Sequence, residues 1–105
     1  MKNFIIRVII RGQELSFPIF PPNFIHIEDY DNLIIKPIFS SQWDNLSKTI
    51  SWTIENEDYR KVQFEDIISI PVSELKNRRF AFCFVGEDKE KILRITTNFL
   101  IVDLR

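Results

Sequence analysis

Cysteine is nearly missing from this 105-residue chain: Cys83 stands alone, so no intrachain disulfide is possible and a reducing compartment suits it. Histidine is as scarce. His26 has no second histidine and no cysteine pair to complete a metal set or a catalytic dyad. It therefore reads as an ordinary strand or surface residue, and Cys83 as a buried structural thiol. The two glycines, Gly12 and Gly86, stand apart, so no phosphate-cradling loop is expected. Excess charge is lacking too. Lys plus Arg total 14 and Asp plus Glu 15, a net charge of −1 that gives no field to attract nucleic acid or an anionic membrane. No apolar run approaches the ~20 residues that span a bilayer. Arg7 and Arg11 interrupt the apolar stretch near the N-terminus, so no signal-peptide core is expected.

What the chain does have is bulky apolar side chains in short alternating runs. It is 45% hydrophobic and 28% charged, a globular rather than a disordered composition, and carries ten Phe and two Trp. The length fits a single domain over residues 1–105, with a core held without staples. Residues 3–11 place Phe4, Ile6, Val8 and Ile10 on one face, and Ile5, Arg7, Ile9 and Arg11 on the other. Residues 13–18 return as a hairpin partner past Gly12, and the proline-rich 18–23 is an extended connection. Strands follow at 24–28 and at 33–39, where Pro37 argues for an edge or bulge. In 49–54, Ile50, Trp52 and Ile54 form a buried face opposite a wet face of Thr49, Ser51 and Thr53. Further strands are expected at 59–64, 67–70, 79–85, 91–96 and 98–104, with a turn at 86–89 and one short helical turn beginning at Pro71. Turn signals every eight to twelve residues are the pattern of an all-β sandwich or barrel.

Four isoleucines, Ile5, Ile9, Ile34 and Ile38, fall on outer faces and form a candidate protein-docking face. Residues 79–85 are a second candidate: Phe80, Phe82 and Phe84 line one side, and the other side, Ala81, Cys83 and Val85, is also apolar. The acidic groups Glu28-Asp29-Asp31, Glu55-Glu57-Asp58 and Glu65-Asp66 lack the spacing of a calcium loop and read as turn chemistry. No catalytic, cofactor-binding or metal-ligating residue emerges. Asn45-Leu46-Ser47 matches a glycosylation sequon by chance.

Three segments in order resemble a bacteriophage module. Phe39-Ser40-Ser41-Gln42-Trp43-Asp44-Asn45-Leu46-Ser47-Lys48-Thr49 is similar to an F-x-x-x-W-D-x-L-x-K-T run. Ile70-Pro71-Val72-Ser73-Glu74-Leu75 resembles an I-P-x-x-x-L turn. Phe84-Val85-Gly86 with Leu93-Arg94-Ile95-Thr96-Thr97-Asn98 resembles an F-x-G … R-I-T-T-N ending. The group comprises immunoglobulin-like or related β-sandwich domains of phage head-fibre, capsid-decoration, baseplate and receptor-binding proteins, often as the N-terminal module that docks onto the virion. The resemblance covers residues 30–104 and implies an immunoglobulin-like antiparallel sandwich of about seven to nine strands. In it Trp43 and Leu46 plug one end while Asp44 and Lys48 stay wet, Trp52 sits in the core, and the Arg94–Asn98 turn, which joins the last two strands near Thr97 and Asn98, sets their register. Phe17–Pro22 is more proline-rich than the pattern, and many relatives continue beyond the point where this chain ends at Arg105.

The expected role is a virion structural protein or module, made in the host cytoplasm, that acts by docking rather than catalysis. Its expected partners are other virion proteins, in a homo-oligomer or bound to capsid or tail, with no nucleic acid and no membrane. A host-directed inhibitor is one alternative. A carbohydrate-binding sandwich is another, and it requires Trp43, Trp52 or Tyr30 to be exposed.

Overall fold

The computed structural model describes residues 2–19, 24–55, 57–75, 79–90 and 92–105. Alternation governs its first strand. In β1 (Asn3–Arg11) Ile6, Val8 and Ile10 are buried while Arg7 and Arg11 are exposed. Gly12, with φ +58°, turns the chain back into β2 (Glu14–Ser16), which pairs antiparallel with β1. A long excursion follows. The expected strand at 24–28 is reduced to a parallel bridge between Ile25 and Leu104 and a 3₁₀ turn at Ile27–Asp29; Phe20 to Asn23 lie outside the described residues. The chain then enters β3 (Asn32–Phe39), which runs parallel to β1, Asn3 beside Asn32 through Ile10 beside Phe39. This departs from the all-antiparallel expectation. The long connection between the two strands permits a parallel neighbour, which a hairpin does not.

A 3₁₀ turn at Ser41–Trp43 leads to β4 (Ser47–Ile54), which pairs with β5 (Arg60–Phe64). The chain crosses back to β6 (Ile68–Pro71), beside the first half of β3, and to a 3₁₀ turn at Val72–Glu74. Pro71 thus ends a strand instead of opening the turn. β6 pairs only with Asn32–Ile35, so Pro37 sits where β3 has no ladder on that side, as a residue without an N–H requires. β7 (Arg79–Glu87) lies centrally, with β4 on one side and β8 (Arg94–Thr96) and β9 (Leu100–Asp103) end to end on the other. Gly86 and Glu87 belong to β7 rather than to the expected turn, and residues 92 and 93 precede β8 instead of joining it.

The result is a sandwich of a four-stranded sheet, β2-β1-β3-β6, on a five-stranded sheet, β5-β4-β7 with β8 and β9. Val8, Ile10, Leu33 and Ile35 from the first sheet share one core with Ile50, Trp52, Ile54, Phe80, Phe82 and Phe84 from the second. Each Phe contributes roughly 1.5–3 kcal/mol on burial, and all three are fully buried. Phe80 and Phe82 stack at 5.4 Å between centroids, while Phe82 and Phe84 meet edge-on at 6.0 Å.

Candidate functional site

The parallel register of β1 and β3 decides where the four isoleucines go. Ile5 lies beside Ile34 and Ile9 beside Ile38, on the outer side of the first sheet. Between these two rungs lies a third, Arg7 beside Lys36. Ile38 is 63% exposed and Ile5 40%, while Ile9 and Ile34 are half-buried. Ser69 of β6 borders Ile34, Ser16 of β2 borders Ile9, and the exposed Ile67 precedes β6. One end of the face is closed by the Asn32 side-chain amide donating to Asn3 Oδ1 at 3.2 Å; at the other, Arg11 lies beside Glu14. All four sequence-predicted docking residues therefore converge on one surface.

The outer side of the second sheet is different. Tyr59 just before β5 and Phe99 just before β9 approach from opposite edges, with ring centroids 5.6 Å apart. The strand register puts Ser51 of β4 and Cys83 of β7 side by side on this sheet. Ser51 is 7% and Cys83 3% exposed. The expected wet face of β4 is therefore covered at its middle residue. Burial raises the pKa of the Cys83 thiol, and the nearby Lys61 charge lowers it to a smaller extent. The expected burial of Cys83 is observed, but on the outer face and not between the sheets. Sequence reasoning placed Tyr59 and Phe99 in the strands expected at 59–64 and 98–104 but had no signal that the two rings meet, since their strands are not neighbours. The same face carries an open groove of about 290 Å³ bordered by Thr49, Gln63, Val85, Glu87 and Arg94. A larger open groove, about 520 Å³, lies by Leu46, Lys48, Phe64 and Glu65.

Trp43 and Leu46 plug one end of the sandwich as expected. The Trp43 indole N–H donates to Gly12 O at 2.8 Å, and the side chain is fully buried. Gly86 lies under it: a Cβ there would come within 2.7 Å of the indole ring. Asp44 is exposed, but Lys48 is half-buried, its ammonium 5.3 Å from the centre of the Phe39 ring. Trp52 is 3% exposed, with the Arg60 guanidinium 4.8 Å from its ring centre. Tyr30 is half-buried edge-on to Phe4 at 5.1 Å. Neither tryptophan is open for a sugar to stack on.

Thr97 and Asn98 do not form the expected turn between the last two strands. Four residue steps from Thr96 to Leu100 span three on β7, from Val85 to Phe82, so the pair sits in a bulge. Thr97 Oγ1 accepts the Phe84 N–H at 3.0 Å and donates to Asn98 O at 2.8 Å. The Asn98 side chain reaches across to β2, where Oδ1 accepts the Leu15 N–H at 2.8 Å and Nδ2 donates to Leu15 O at 3.0 Å. His26 is exposed, 5.0 Å from the Phe24 ring. Among the described residues no three His, Cys, Asp or Glu side chains are grouped to hold a metal ion. In comparisons with known proteins, the chain matches no family model, no curated sequence and no solved structure.

Proposed function

We propose that this chain is a docking module: a β-sandwich that binds another protein through the outer side of its first sheet. The observation that carries the reading is the pair of isoleucine rungs on one surface, Ile5 with Ile34 and Ile9 with Ile38, in which Ile5 and Ile38 are exposed and Ile9 and Ile34 half-buried. Contiguous apolar surface costs solubility, and proteins keep it where a partner covers it. The resemblance of residues 30–104 to phage β-sandwich modules supports a virion setting, on a capsid, head fibre, baseplate or tail. A particle that repeats the module many times converts weak single contacts into stable attachment. The work of such a module is positional, and no step of bond making or breaking is assigned to it.

The test is co-sedimentation of the tagged protein with particles of the phage whose genome encodes it. The wild-type protein is expected to pellet with the particles, and Ile38→Asp to remain in the supernatant. Ile38 is mostly exposed, so the substitution is expected to shift the urea unfolding free energy by less than about 0.5 kcal/mol. Failure of the wild-type protein to pellet would overturn the virion setting. Pelleting that is unchanged in Ile38→Asp would overturn the choice of face.

A further inference from the structure

We infer that the partner seated on this face presents a carboxylate flanked on both sides by apolar side chains. The inference rests on the docking role proposed above and adds the chemistry of the occupant. Its basis is the middle rung. Arg7 and Lys36 lie side by side, an isoleucine pair on either side. Rungs on one face of a strand are two residues, or about 6.6 Å, apart. The face therefore reads apolar, cationic, apolar over about 13 Å.

Two like charges on one rung of neighbouring strands repel each other. Neither cation has an ion pair among the described residues, where the salt bridges are Arg60 with Glu74 and Arg79 with Asp103. The next cation along, Arg11, differs because it lies beside Glu14 on β2. Among the described residues, no strand pairing puts a carboxylate beside the Arg7–Lys36 rung. A partner that covers the isoleucines must also cover this rung. Burying the cations against apolar atoms would remove their water and return nothing. A carboxylate at that point removes the repulsion and makes charge-assisted hydrogen bonds, with the guanidinium able to bind it bidentately.

The same geometry argues against a second copy in a two-fold contact. A two-fold axis through the middle rung would stack Ile5 and Ile34 on Ile9 and Ile38 of the other copy. It would also set both Arg7–Lys36 pairs against each other, four cations in one interface.

The test is selection from a displayed random-peptide library on the immobilised protein, run in parallel on Arg7→Glu/Lys36→Glu and on Ile38→Asp. Wild-type protein is expected to enrich peptides with Asp or Glu between apolar residues. The double charge reversal is expected to enrich Lys or Arg there and to weaken the wild-type peptides by about tenfold or more. Ile38→Asp is expected to lose the whole class. Circular dichroism on all three proteins checks that they fold alike. Peptides lost with Ile38→Asp but without an acidic preference would overturn the inference and leave the docking face standing. Peptides indifferent to both variants, or no enrichment at all, would overturn the face itself. Sedimentation velocity on the wild-type protein adds the last arm: a dimer abolished by Ile38→Asp would establish a second copy as the occupant and overturn the acidic partner.

Discussion

Cys83 shows how much a single residue's setting depends on its neighbours. Its strand position puts it on the outer face of β7, yet it is as buried as the core. Desolvation raises its pKa above the ordinary 9.0, with Lys61 opposing in part. The sign of the pH dependence follows. The unfolded chain loses the thiol proton near the ordinary value, while the folded chain holds it to higher pH. The contribution to stability is complete below 9.0 and is lost as pH rises through the higher folded value. Urea midpoints of the wild-type protein are expected to fall more steeply between about pH 8 and 10 than those of Cys83→Ala. The comparison between the two proteins cancels the titration of tyrosines and lysines in the same range. Gly86 is constrained differently: the Trp43 ring occupies the space a side chain would need.

Among the elements, the bulge between β8 and β9 ties the two sheets together. It lets one edge of β7 carry two short strands whose registers differ by one residue. Thr97 provides the acceptor for the Phe84 N–H at the point where the ladder is interrupted, and it is 5% exposed. Thr97→Val keeps the side-chain volume and removes that acceptor. It is expected to cost about 1–3 kcal/mol, the penalty for leaving a buried donor unpaired, read from urea denaturation. Asn98, one residue on, ties the bulge to β2 of the other sheet through both groups of its amide. The edge strand β5 is protected by its composition. It carries Arg60 and Lys61, and the Arg60–Glu74 pair at 2.7 Å is exposed on both sides, so it contributes at most about 1 kcal/mol.

At the scale of the whole molecule, the fold is held by pairings distant in sequence. β1 and β3 pair residues 29 positions apart, Asn3 with Asn32, and Asn98 contacts Leu15 across 83 positions. Non-local pairing must close large loops before any contact is gained, so stopped-flow refolding is expected on the millisecond-to-second scale and not in microseconds. The same long-range pairing gives the molecule two unlike outer surfaces. The first sheet presents isoleucines around a cationic rung. The second presents the Tyr59–Phe99 ring pair and an open groove bordered by Thr49, Val85, Glu87 and Arg94.

The sequence by itself determined the class of the fold and most of its strands, since alternation is local and survives whatever a strand pairs with. It determined that Ile5, Ile9, Ile34 and Ile38 face outward, because parity within each strand settles inside from outside once the opposite residues are buried. Only the tertiary structure decided that they share one surface. That required β3 to lie parallel beside β1 in one register, and the choice of neighbour is made by the packing of both sheets. A slip of one residue would have put Ile5 and Ile9 beside Leu33 and Pro37, or beside Ile35 and Phe39, in place of Ile34 and Ile38. The strand expected at 24–28 and the turn expected at Thr97–Asn98 went astray for a related reason. Ile25 is held by Leu104, and Thr97 by Phe84, partners that no local pattern names.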